Sequence, residues 1–235
     1  MKRTSLGIAA FVVMLIGGLA PPVFAQQSTI GERVIALKTN LDQSRSALHR
    51  YEWIETTVVS VNGEEKSRKQ SRCYYGADGK LTKVVLNQSA PEPRKFGLRG
   101  LIQESEKEEM TDYMQEAVSL VHQYIPPDPV KLLAAREAGR VALRLIEPGK
   151  RAHLVFSDYL KSGDNLAVDV DPADNRLLGV HVNSYLDSDQ EPVTLTVTLG
   201  ALNDGTTYPS EEVLDAEGKN LNVTIQNSGY RLNVQ

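Results

Sequence analysis

One cysteine, one tryptophan and four phenylalanines in 235 residues leave this chain short of the residues that usually announce a core or a chemistry. The lone Cys73 excludes an internal disulfide, so stability has to come from packing. It falls inside a predicted strand, where a free cysteine behaves as a small buried hydrophobe. The histidines number four, at positions 49, 122, 153 and 181. No two share an element at ligand spacing, and His181 lies on the face opposite Val180 and Val182, so no joint histidine site is expected. HExxH, CxxC, GxSxG, P-loop and dinucleotide fingerprints are all missing, which argues against an enzyme, a cofactor and a metal. The acidic stretch Asp169–Asp174 lacks the oxygen ligand and the glycine that a calcium loop needs, and Val180 stands where its closing Glu would be. Asp187–Glu191 reads as a solvated carboxylate turn. Basic residues are not in excess either. With 26 Lys and Arg against 30 Asp and Glu the net charge is −4, which excludes a phosphate-backbone partner.

Long apolar runs are also absent, apart from one at the start. Lys2 and Arg3 precede the short run Leu6–Leu19, and Val23, Phe24 and Ala25 offer a cleavage site ahead of Gln26. Residues 1–25 are therefore expected to be a cleaved export signal, since the run is too short to span a bilayer. No cysteine follows the cut at once, so no lipid anchor is expected. Residues 26–235 suffice for one large domain, exported and not membrane-spanning.

What is present is pattern. Thr29 with Glu32 makes a capping box, and Ile30, Val34, Leu37, Leu41 and Leu48 recur at helical spacing. Tyr51–Val61, Glu64–Tyr75 and Leu81–Leu86 read as strands, the first two joined by Asn62-Gly63, a strong hairpin signal. Asn87–Gly100, with its prolines and glycines, reads as a mobile loop. Ser105 with Glu108 forms a second capping box that is expected to open a helix running to Tyr124. Pro126, Pro127 and Pro129 then break the chain, Asp128 can cap a further helix, and Gly139 ends it. Seven more strands follow to Leu232. Their alternation is clearest in Val193, Leu195, Val197 and Leu199, in Leu178, Val180, Val182 and Leu186, and in Leu221, Val223 and Ile225. A strict period of two means one buried face and one wet face. The short connections exclude parallel crossovers. The expected fold is α+β and mainly antiparallel β: about ten strands in a strongly curved, incomplete barrel, with an N-terminal helix and two mid-chain helices covering the concave face.

The helical stripe Met110, Tyr113, Met114, Ala117, Val121 and Tyr124 is rich in Met and Tyr, which suits an adaptable contact surface. Together with Trp53 these are the candidate residues for an apolar lid and groove. A stripe of this kind equally describes a helix that simply packs on the sheet.

The segments Tyr74–Leu81, Tyr124–Pro129, Phe156–Leu160 and Asn183–Asp187, in this order of elements, resemble the bacterial periplasmic lipoprotein-carrier superfamily, the LolA-like proteins and their outer-membrane lipoprotein-sorting relatives. The resemblance covers nearly all of residues 26–235 and rests on turns and strand ends. It implies a periplasmic protein whose half-barrel groove receives lipid or acyl chains, a carrier or sensor without catalysis. The partners it implies are a lipid, a lipidated protein or an envelope protein. The alternative is an envelope interaction protein whose groove is filled by its own helices.

Overall fold

The computed structural model describes residues 39–89, 98–147, 150–187 and 191–233. The export signal and the Thr29/Glu32 box lie outside them, as do Ile30, Val34 and Leu37. Helix α1 is described over residues 39–48. Strands β1 (Tyr51–Val61), β2 (Glu64–Tyr75) and β3 (Leu81–Gln88) follow, then helices α2 (Leu98–Val121) and α3 (Pro129–Glu137). The second block is β4 (Val141–Glu147), β5 (Arg151–Ser157), β6 (Asn165–Asp171), β7 (Arg176–Tyr185), β8 (Pro192–Ala201), β9 (Thr207–Ala216) and β10 (Leu221–Leu232).

All ten strands join one antiparallel sheet in the order β3-β2-β1-β10-β9-β8-β7-β6-β5-β4. The curved sheet is an incomplete barrel, open between β3 and β4. These two strands are neighbours in sequence but occupy opposite edges. The chain between them must therefore pass from one edge of the sheet to the other. Helix α2, about 36 Å long by its rise per residue, lies on that path and packs on β8 and β9. The crossover is what lays helices over the concave face.

Local chemistry accounts for the elements. Asn62 (φ 53°) and Gly63 (φ 77°) both take the left-handed conformation that turns β1 into β2. The Asp128 side chain accepts the Val130 N–H at 2.8 Å, Pro129 fills the first turn of α3, and Gly139 (φ 69°) follows its end.

Four expectations need correction. Helix α2 starts at Leu98, so Ser105 is interior to it and the Ser105/Glu108 capping box does not form a helix start. Extending an existing helix through Gly100 costs only about 1 kcal/mol, less than nucleating a separate helix downstream. The Asn87–Gly100 loop is accordingly shorter, because β3 runs to Gln88. Helix α2 also stops at Val121 rather than Tyr124. Finally, Leu177 rather than Leu178 joins the buried face of β7, because a bulge in the β6–β7 pairing at Asp169/Val170 shifts the alternation by one residue.

Candidate functional site

The floor of the concave face can be read from the strand register. Val141, Phe156, Leu166, Val182, Leu195, Leu214, Val223 and Val59 are successive cross-strand partners, one row running from β4 to β1. The adjacent row begins equally apolar with Leu143, Leu154, Val168, Val180 and Val197. It then turns mainly polar, with Glu212 on β9, Thr57 on β1 and Lys69 on β2 and only Ile225 on β10 apolar between them. The floor is thus hydrocarbon on one side and gains a polar strip on the other.

The helices seat on the hydrocarbon side. Tyr113, Ala117, Leu120 and Val121 of α2, Tyr124 beyond it and Ala135 of α3 are buried in one cluster with the floor residues. Met110, Met114 and Val118 are partly buried against the same cluster. Six of the seven candidate residues therefore come together: Met110, Tyr113, Met114, Ala117, Val121 and Tyr124. Trp53 does not join them. Its indole Nε1–H donates to Asn227 Oδ1 at 3.0 Å, and its ring stacks at 5.4 Å on Tyr230 and lies 6.0 Å from Tyr75. This is a separate aromatic group beside the end of α1, where His49 stacks on Tyr75 at 4.0 Å. Helix α1 is tied to the sheet nearby, since Ser44 Oγ accepts the Thr207 N–H at 3.0 Å.

Two fastenings hold the cover. Tyr124 is fully buried, and its hydroxyl donates to Asp164 Oδ2 at 2.5 Å while lying 2.8 Å from Ser184 Oγ. The Asp164 carboxylate also accepts backbone N–H groups of Tyr159, Leu160 and Lys161 at 2.6–3.0 Å. Burial, reinforced by the hydrogen bond to Asp164, pushes the Tyr124 hydroxyl pKa well up. Tyr159 completes this anchor by accepting the Asp128 N–H at 2.8 Å. At the other fastening, Tyr113 presses its hydroxyl against the Glu217–Lys219 turn. A Cβ on Gly218 would stand 2.7 Å from that oxygen, closer than packed atoms allow. Lys219 pairs with Glu109 of α2 and holds its ammonium 5.6 Å from the Tyr113 ring centre.

The polar strip is the feature that sequence reasoning missed. Lys83 of β3 reaches Glu55 of β1 at 2.6 and 2.8 Å, on the face that also carries Ser71 and Cys73. Cys73 is wholly buried, and burial with the nearby Glu55 charge pushes its thiol up to about 11. Glu212 sits between Val197 and Ile225. Burial and then the Glu55 charge raise its pKa above the ordinary carboxylate value. These residues lie far apart in sequence on strands that looked merely polar, so only the register could reveal them.

The outer face holds a second unforeseen group, which corrects the expectation that no histidines would meet. Asp169, nearly inaccessible, accepts from Arg151 and lies 2.6 Å from His153 Nδ1 and 3.3 Å from His181 Nε2. Burial alone would raise the Asp169 pKa, but hydrogen bonds from Arg151, His153 and His181 outweigh it and hold it below the usual range. Gly179, opposite Asp169, is tight on its other side, where a Cβ would stand 3.1 Å from the Val197 carbonyl oxygen of β8. The cluster binds β5, β6 and β7 together from outside.

No family model matches the chain, and no curated protein matches it. Solved structures do. One is a LolA superfamily protein from Nitrosomonas europaea, at TM-score 0.35 and 10% identity, covering 85% of this chain and 94% of that one. A DUF1329 family protein from Desulfovibrio piger matches at TM-score 0.34 and 8% identity over 85% and 94% of the two chains. An outer membrane lipoprotein-sorting protein domain from Vibrio parahaemolyticus matches at TM-score 0.32 and 11% identity over 83% and 91%. Among the described residues, no helix is long and apolar enough to cross a membrane.

Proposed function

We propose that residues 26–235 form an exported periplasmic domain that carries or senses an amphiphilic ligand, a lipid or an acyl chain, without catalysing a reaction. The observation that carries this reading is the cover itself. An apolar floor spanning several strands is overlaid by a helix whose contacts include the half-exposed, flexible Met110 and Met114. Such a seat can repack around a guest, and each buried CH₂ of a chain would contribute about 0.8 kcal/mol. The ligand's tail would lie along the floor under α2, among Met110, Tyr113, Met114, Ala117 and Val121. Its polar end would meet the Glu55–Lys83–Glu212 strip. Tyr124 would act as the fixed end from which α2 lifts, and Trp53 would line the far end of the same face.

A second reading has its own support. Tyr113, Ala117, Leu120 and Val121 already bury the floor, as a groove filled by its own helices would require. In that case the protein would act by binding an envelope partner and would take no small ligand.

Extraction and native mass spectrometry on protein purified from a native-like envelope separate the two. The carrier reading expects a stoichiometric acyl-containing species that disappears on Met114→Asp while the fold survives by circular dichroism. Empty protein that also ignores a fluorescent fatty-acid probe would sink it and leave the filled groove.

A further inference from the structure

Of the ten large hydrophobic side chains exposed among the described residues, five fall between 130 and 146: Val130, Leu133, Leu143, Leu145 and Ile146. Leu143, Leu145 and Ile146 belong to β4, an edge strand that pairs with β5 alone among the described residues. They are 52%, 64% and 58% exposed, which is unusual for an edge, where charge, proline or cover normally blocks pairing. Val130 and Leu133 are exposed on α3, which packs on β5, the strand beside β4.

We infer that β4 is a homodimer interface, pairing antiparallel with β4 of a second copy about a two-fold axis at Leu143. The register argues for a second copy. With the axis at Leu143, Val141 faces Leu145 on the concave side, Leu143 faces its twin, and Ala142 faces Arg144 on the convex side. Apolar meets apolar, and no like charges stand opposite one another. Moving the axis to Arg144 would set two arginines face to face. Moving it to Ala142 would strand Leu145 beyond the paired residues. At the other edge an axis at the centre of the regular part of β3 opposes Lys83 to Lys83, and moving it to Val84 sets Lys83 against Val85. A lipid surface fits β4 less well, since acyl chains offer nothing to the open backbone N–H and C=O groups, whereas a strand satisfies them. Pairing would also carry the apolar row Leu143–Leu154–Val168–Val180 across the axis into the second copy. The inference stands on the edge geometry and does not depend on what the groove holds.

Analytical ultracentrifugation of the purified protein over a wide concentration range tests it. Wild type should be a reversible dimer. Leu143→Lys, placing two ammonium groups opposite each other on an exposed position, should be monomeric with unchanged circular dichroism and with the melting temperature of wild type diluted below its dissociation constant. Ala142→Glu sets a carboxylate opposite the second copy's Arg144 at both ends, and should tighten dimerisation about threefold to tenfold. A wild type that stays monomeric throughout overturns the inference, as does a dimer indifferent to Leu143→Lys. So does a monomer whose co-sedimentation with phosphatidylethanolamine–phosphatidylglycerol vesicles is lost in Leu143→Lys, which would assign the patch to a lipid surface.

Discussion

A buried carboxylate, Asp169, and a half-buried one, Glu212, respond to pH in opposite senses. Asp169 has a folded-state pKa below its unfolded value, so it contributes stability above about pH 4 that is lost as the pH falls through the folded value. Glu212 has a raised folded-state pKa, so its contribution is present at low pH and lost as the pH rises through that value. Glu212→Gln is therefore expected to raise the thermal midpoint at pH 7, with the gain shrinking towards pH 4. Asp169→Asn should lower the midpoint at pH 7 and flatten the acid limb of the stability curve. Calorimetry across pH 3–8 reads both, and a shift of the same sign for the two variants at pH 7 would contradict the assignment. Cys73 gives a third expectation at this scale. Its buried thiol, pushed up to about 11, should ignore Ellman's reagent in the folded protein and react fully in guanidinium. Little of this was legible from the chain. The burial of Cys73 follows from its place in a strand, but the Asp169 cluster joins residues 12 and 16 positions apart on three strands. No spacing rule applies across such a gap.

The proposed function turns on the helical cover, whose two fastenings differ in kind. At Tyr124 a buried hydroxyl reaches a carboxylate already held by backbone N–H groups, so Tyr124→Phe should cost about 1.5–3 kcal/mol in denaturant unfolding. At Tyr113 the fastening is steric. Gly218→Ala introduces a methyl group where Tyr113 Oη now lies, and the buried ring has little freedom to yield. Faster amide exchange along α2, with the strands of β6–β8 unchanged, is the expected outcome; exchange that stays uniform would show that the turn is not a fastening. The sequence pattern picked out the buried stripe Tyr113, Ala117, Val121 and Tyr124, because period 3.6 is a local property. It misplaced the start of α2 because a Ser-x-x-Glu box signals a helix start only where no helix already runs through it. The Leu98–Glu104 segment, with its good helix formers, supplies one.

In the whole molecule, β10 lies between β1 and β9, so the last strand of the chain completes the middle of the sheet. Removing residues 221–235 should therefore abolish the cooperative fold rather than trim an edge, and the thermal transition seen by circular dichroism should vanish. A truncated protein that still melts cooperatively would contradict the strand order. Pairing of β1 with β10 joins residues 160 to 181 positions apart, from Val61 with Leu221 to Tyr51 with Leu232. Long-range pairing of that kind makes for slow folding.

The chain by itself determined the number of strands, most of their limits, the turns at Asn62-Gly63 and Gly139, and the two-helix insertion. Each of these is encoded by residues within a few positions of one another, through periodicity, capping and the backbone freedom of Gly and Asn. Only the tertiary structure decided that β3 and β4 are opposite edges and that β10 is central. It alone showed that Glu55, Lys83 and Glu212 form a polar strip, that Trp53 belongs to a different group from Met110 and Met114, and that β4 is an apolar edge left open among the described residues. Those facts depend on which strands become neighbours and in what register. That choice is made by burial and hydrogen bonding between segments distant in sequence, so no local pattern records it.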